Sequence, residues 1–134
     1  MTWPSARETR CARSPTLLDG TSNTLVLREV TGRPDGYNAA GVRAPYSDGV
    51  SSVGTWASYR STVVESWNEA GADKNGPCVI NCSNLCGTYA FHSAGANHVF
   101  ADDSVHMVRK GINEYLYCAL VTRNGGEVLS NDDF

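Results

Sequence analysis

The most regular succession of apolar and polar positions lies between His98 and Val108. Two short runs, His98–Ala101 and Ser104–Val108, carry Val, Phe and Met on either side of Asp102-Asp103. Runs of this kind bounded by turn residues predict two strands. A two-residue link between them predicts a tight hairpin of the primed turn type. In that register Phe100 faces Val105 and His98 faces Met107, while Val99 faces His106 on the other side of the ribbon. Both faces then hold apolar side chains, so the hairpin is expected within a sheet that is covered at least partly on each side. His98 and His106 fall on opposite faces.

Further elements follow from the same patterning. Leu25–Val30 reads as a strand with Leu25, Leu27 and Glu29 on one face, ended by Gly32-Arg33-Pro34-Asp35-Gly36. Residues 37–53 form a long loop punctuated by Gly41, Pro45 and Gly49. Thr55–Val64 carries a strand near Trp56, and Glu65–Gly76 is polar loop in which Trp67 must find cover. Tyr89–Phe91 is a short strand leading into His92. Gly111–Arg123 is the best helix: Asn113 can cap it, Glu114 suits the positive end of its dipole, and Tyr115, Leu116, Ala119 and Leu120 make an apolar stripe. Asn124-Gly125-Gly126 stops it, and Glu127–Phe134 is an extended tail. Residues 1–16 are polar, contain Pro4 and Pro15, and are expected to be poorly ordered.

Length and composition narrow the class. A chain of 134 residues is one domain with room for a core, and 41% hydrophobic residues suits a globular protein. Thirteen glycines, with many Asn, Ser and Thr, point to a loop-rich β fold. A net charge of -3 argues against nucleic acid as a partner. No apolar run approaches the roughly 20 residues that a membrane span needs, and no apolar run follows the N-terminal arginines as it would in a signal peptide. Five cysteines are an odd number. Cys78, Cys82 and Cys86 recur at four-residue intervals, but Pro77, Asn81, Asn84 and Gly87 make that segment a loop, and the spacing fits no familiar zinc motif. A disulfide, with Cys78 and Cys82 as the candidate pair, or free thiols, is expected ahead of a metal site.

Several separated stretches resemble one family in order and spacing. They are Leu18-Asp19-Gly20-Thr21-Ser22-Asn23-Thr24-Leu25, Gly76-Pro77-Cys78-Val79-Ile80-Asn81-Cys82 and Phe91-His92 through Asp102. Tyr115, Ala119-Leu120, Thr122-Arg123, Gly125-Gly126-Glu127-Val128 and Asp132-Asp133-Phe134 follow. Over residues 17–134 the chain resembles the bacterial prepilin-like proteins with a C-terminal His-x9-Asp-Gly motif, a family whose domain has no assigned function. The resemblance implies an α+β, pilin-like antiparallel sheet with loop-rich insertions and a short C-terminal helix. It implies a cell-envelope or periplasmic location, kinship with type II secretion pseudopilins, and no established catalysis. The family's prepilin signal and long apolar helix have no counterpart here, so the chain reads as a truncated member, with residues 1–16 irregular and 17–134 the globular domain. The motif maps onto Asp19, Gly20, Thr21, Ser22, Asn23, His92, Asp102 and Asp103. Asp103 stands where the family has glycine.

The chemistry carried by those residues admits three readings. The first is a non-enzymatic domain without cofactor, which associates with other pilin-like subunits or with itself through an open sheet face. The second is a module for calcium or polysaccharide. Asp102 and Asp103 are its weak calcium candidates, since calcium takes oxygen ligands, and Trp3, Trp56 and Trp67 could stack on sugars. The third is a metal-dependent hydrolase centred on His92 and Asp102. That pair falls short of the three or four protein ligands that metal sites use. A structural role is expected instead, with His92 pinning the loop before the hairpin and Asp102 shaping the turn. No Gly-x-Ser-x-Gly elbow or phosphate-cradling loop is present.

Overall fold

The structure, a computed structural model, describes residues 17–44, 64–122 and 125–126. Expectations for residues 1–16, Thr55–Val63 and 127–134, and for Trp3 and Trp56, lie outside them. A 3-10 turn at Thr21–Asn23 leads into β1 (Leu25–Arg28). The small hairpin β2 (Gly36–Tyr37) and β3 (Arg43–Ala44) follows, then β4 (Gly95–Phe100), β5 (Val105–Arg109) and α1 (Glu114–Val121). The main sheet is antiparallel in the order β1-β4-β5. One short helix on a small antiparallel sheet makes this an α+β fold.

The central hairpin forms with a different register from the one its sequence suggests. Val99 pairs with Val105, His98 with His106 and Asn97 with Met107. The connection is a three-residue loop, Ala101-Asp102-Asp103, closed by Phe100 N–H to the Ser104 carbonyl at 2.9 Å and Asp103 N–H to the Phe100 carbonyl at 3.1 Å. Asp103 takes φ 66°, the left-handed position that ends a three-residue hairpin loop. Strand side chains alternate with period two, so the one-residue shift changes which residues share a face. His98 and His106 are opposite each other on the same face, together with Phe100, Ala96 and Val108. Val99, Val105 and Met107 lie on the other.

β1 departs from simple alternation too. It stops at Arg28, and a bulge lies between Leu25 and Leu27, which pair with Phe100 and Val99 respectively. The extra residue moves Leu27 from the inner to the outer face. Leu25 therefore packs on the core, whereas Leu27 is 63% exposed. The strand expected at Tyr89–Phe91 is reduced to isolated bridges, Ile80 with Thr88 and Val30 with Tyr89.

α1 begins where its sequence says it should. The Asn113 side chain accepts the Tyr115 N–H at 2.8 Å, and Glu114 occupies the first turn. At the other end the Thr122 N–H turns back to the carbonyls of Cys118 and Ala119 at 3.2 and 3.3 Å. The buried stripe is rotated from the expected one: Tyr117, Ala119 and Leu120 are buried, Leu116 packs beside the core, and Tyr115 points to solvent. Tyr117 and Leu120 join Ala96, Phe100 and Val108 of the sheet, Ile112, and Val79, Ile80 and Ala90 of the cysteine loop in one core. Each large apolar side chain moved out of water there contributes roughly 1.5–3 kcal/mol.

Asparagines hold the loops against that core, because buried backbone groups outside a ladder need other partners. Asn81, at φ 59°, accepts the Ala90 N–H at 2.7 Å and donates to the carbonyls of His92 and Gly95 at 2.8 and 3.1 Å. Asn84 accepts the Tyr37 N–H at 2.8 Å and donates to the carbonyls of Thr31 and Asp35 at 3.1 and 2.8 Å. Trp67 finds its cover under this loop, exchanging backbone hydrogen bonds with Cys78 at 2.7 and 2.9 Å. Cys78 and Cys82 are joined in a disulfide with a Cα–Cα distance of 6.2 Å. A β-carbon at Gly71 would run into the Cys82 carbonyl, so this approach requires glycine.

Candidate functional site

The motif residues gather into two groups on different parts of the sheet. The first is a polar knot at the hairpin tip. Gly20, at φ 89°, starts the 3-10 turn, and its carbonyl accepts the Thr24 hydroxyl at 2.9 Å. The Asn23 amide donates to the Asp19 carbonyl at 3.3 Å. The Asp19 carboxylate in turn accepts the N–H groups of Gly125 and Gly126, both at 2.8 Å, and the Thr122 hydroxyl at 3.4 Å. Asp19 thus ties the start of the domain to the segment after α1. Those bonds favour its ionised form, and the Gly126 N–H, followed by that of Gly125, holds its pKa below the usual carboxylate value.

Asp102 belongs to the same end of the molecule. It accepts the Ser104 hydroxyl at 2.6 Å and the Ser104 N–H at 3.0 Å, which is an Asx turn closing the hairpin loop. The Ser104 hydroxyl, then its N–H, lowers the Asp102 pKa, and the Ser22 hydroxyl adds to the effect. Ala101 N–H donates to the Thr24 carbonyl at 2.9 Å, so the 3-10 turn sits against the hairpin loop. Asp19, Ser22 and Asp102 therefore share one knot, whose contacts are within the chain. Asp103 beside them supplies the left-handed residue of the loop.

His92 lies elsewhere. Its Nε2 is 3.5 Å from Oε1 of Glu29, and the other oxygen of Glu29 accepts the backbone and side-chain N–H groups of Asn97 at 3.0 and 3.1 Å. Asn97 stands near the start of β4, whereas Asp102 is in the loop beyond its end. At least three residues of extended chain, ~3.3 Å each, separate the two levels. The structure does not bring His92 and Asp102 together as a pair. Among the described residues, no three His, Cys, Asp or Glu side chains gather in a way that could hold a metal ion.

A buried polar assembly joins His98 of the hairpin to residues that the sequence patterning passed over. His98 is 1% exposed and its Nδ1 lies 2.9 Å from the Ala96 carbonyl. A carbonyl only accepts, so Nδ1 carries the proton and Nε2 of the neutral ring accepts. The Tyr117 hydroxyl, 3.1 Å away, then donates to Nε2, and it accepts in turn from the Thr88 hydroxyl at 2.6 Å. Arg28 donates to Thr88 at 3.4 Å and to the Cys86 carbonyl at 3.1 Å. Burial lowers the His98 pKa to about 4 and raises that of Tyr117, which keeps both neutral at physiological pH. The network links sheet, helix and cysteine loop. Tyr117 could have been found from its spacing of three from Leu120, but Thr88 and Arg28 carry no signal in the sequence.

Two thiols remain free among the described residues, Cys86 buried and Cys118 exposed. Burial raises the pKa of each, with Glu65 adding to the effect at Cys86 and Glu114 at Cys118, so neither is an activated nucleophile. A cavity of about 460 Å³ opens beside the disulfide, lined by Glu69, Cys78, Cys82, Lys110 and Ile112 among others. No described helix is long and apolar enough to cross a membrane.

No curated protein and no solved structure matches the chain. A family model does match, over residues 5–114, and it spans the 3-10 turn, the main sheet, the cysteine loop and His92. The chain belongs to the family described as Protein of unknown function (DUF1559).

Proposed function

We propose that this domain works by protein association and not by catalysis, as a pilin-like or pseudopilin-like module of the cell envelope. The observation that carries the reading is the outer face of the main sheet. Leu27, Val99 and Val105 stand in one row across the three strands, and Met107 follows Val105 along β5. Leu27, Val105 and Met107 are 63, 61 and 44% exposed. Adjacent exposed apolar side chains on one face mark an interaction surface. Asp19, Ser22, Asn23 and Asp102 of the motif are engaged within the chain, which favours a scaffold over a reactive centre. A disulfide between Cys78 and Cys82 fits an oxidising compartment such as the envelope.

Two measurements test the reading. The wild-type chain is expected to bind a hydrophobic dye, and Leu27→Ser with Val105→Ser is expected to abolish that signal while leaving the unfolding midpoint nearly unchanged. A wild type that takes up no dye would remove the association surface. Trapping of thiols in intact cells is expected to find Cys78 and Cys82 oxidised, and their recovery as reduced thiols would remove the envelope placement.

A further inference from the structure

We propose that the cavity between the cysteine loop and the turn from β5 to α1 binds a free amino acid with an apolar side chain, held by Glu69 at its ammonium and by Lys110 at its carboxylate. Binding here does not depend on the association proposed for the outer sheet face. The cavity has a volume of about 460 Å³, within the range of small-molecule sites, roughly 300–1,000 Å³. Its walls are fixed on three sides. The Cys78–Cys82 disulfide forms one, and Cys78 is held by its backbone exchange with Trp67 at 2.7 and 2.9 Å. The turn after β5 forms the second: Lys110 N–H donates to the Ala94 carbonyl at 2.8 Å, and Ile112 N–H to the Arg109 carbonyl at 3.1 Å. The loop that carries Glu69 forms the third. There the Asn68 side chain accepts the Ala72 N–H at 3.0 Å, and the Asn68 N–H donates to the Asp73 carbonyl at 2.8 Å. Backbone held in this way is preorganised, so a ligand has little further chain to order.

The lining residues divide by depth. Ile112 and Cys82 are buried, at 3 and 1% exposure, and make an apolar floor with the disulfide. Pro77, Glu69 and Lys110 are exposed and stand at the mouth. Glu69 and Lys110 bring opposite charges to one cavity, yet they do not form an ion pair with each other. Among the described residues neither side chain has another partner. Apolar walls with a few convergent polar groups are the usual form of a small-molecule site. The charges select within that class. A peptide end carries one charge and a backbone interior none. A free amino acid carries both on one carbon, so its ammonium meets Glu69 and its carboxylate Lys110 while its side chain enters between Ile112 and the disulfide.

Titration calorimetry of the full chain with leucine and with phenylalanine tests this. At least one is expected to bind at millimolar concentration or below. Its N-acetyl and amide derivatives, which lack the ammonium and the carboxylate respectively, are each expected to bind about fivefold or more weakly. Glu69→Gln should remove the discrimination against the acetyl derivative and keep that against the amide, and Lys110→Gln should do the converse. A merely structural role at either position would not sort the derivatives in this way. Gly111 tests the location. A β-carbon there meets nothing within 4 Å, and the backbone is not in the region that favours glycine. Gly111→Trp is therefore expected to fold with the wild-type unfolding midpoint and to abolish binding by filling the mouth. Failure of both amino acids to bind would overturn the site. So would derivatives that bind as tightly as the parent, which would leave an uncharged apolar ligand, or binding that survives Gly111→Trp.

Discussion

The inner and outer faces of the main sheet are made by the same three strands, yet they follow different rules. Inside, Ala96, His98, Phe100 and Val108 lie under α1 and the cysteine loop and are at most 1% exposed. The buried imidazole of His98 has a partner at each ring nitrogen, the Ala96 carbonyl and the Tyr117 hydroxyl. Outside, Leu27, Val105 and Met107 are as apolar as the core residues but stand in solvent. The inner face determines whether the domain folds, and the outer face is the surface on which the proposed association rests. Substitutions should separate the two roles.

The largest contrast is between two leucines. Leu120 is fully buried and Leu27 is 63% exposed. Leu120→Ala should destabilise the domain by about 2–4 kcal/mol in denaturant unfolding, and Leu27→Ala by less than about 0.5 kcal/mol. Equal effects would mean that the faces are not distinct in energy.

Between pH 6.5 and about 4, acid should act on the inner face through His98. An unfolded His98 binds its proton near pH 6.5, whereas the folded one resists until about 4. Between those values the unfolded chain holds more protons than the native one, so stability falls as pH falls through this window. The loss should reach about 3 kcal/mol at pH 4. His98→Gln should flatten that part of the pH profile, whatever its effect at neutral pH. An unchanged slope would assign the acid sensitivity to other groups.

Tyr117→Phe probes the same network more gently. It removes the donor to His98 and the acceptor for Thr88, and buried groups left without partners cost about 1–3 kcal/mol. The variant should also raise the imidazole's exchange with solvent protons, visible by nuclear magnetic resonance.

The smallest expected effect is at the hairpin tip, where the faces meet. Asp103 holds φ 66°, which glycine adopts without a β-carbon penalty. Asp103→Gly should stabilise the monomer by about 0.5–1 kcal/mol. Unchanged or lower stability in denaturant unfolding would mean that the loop does not gain from relief at this position.

The sequence by itself determined the local pieces. Asn113 and Glu114 marked the start of α1, the Val, Phe and Met run marked the hairpin, and Pro77, Asn81 and Gly87 marked the cysteine segment as loop. Each is a matter of short-range geometry, readable from a few neighbouring residues. The motif stretches were legible as well, but their meeting was not: Asp19 finds Gly125 and Gly126 across the length of the domain, and no local pattern encodes that contact. Phase was the other quantity only tertiary structure decided. Adding one residue to the hairpin loop moved His106 to the same face as His98, the bulge after Leu25 turned Leu27 outward, and a rotation of α1 exchanged Tyr115 for Tyr117. The reason is common to all three. Apolar residues occupy both faces of these elements, so hydrophobicity alone leaves the phase nearly degenerate. The packing of α1, β4 and the cysteine loop around one small core selects among the alternatives.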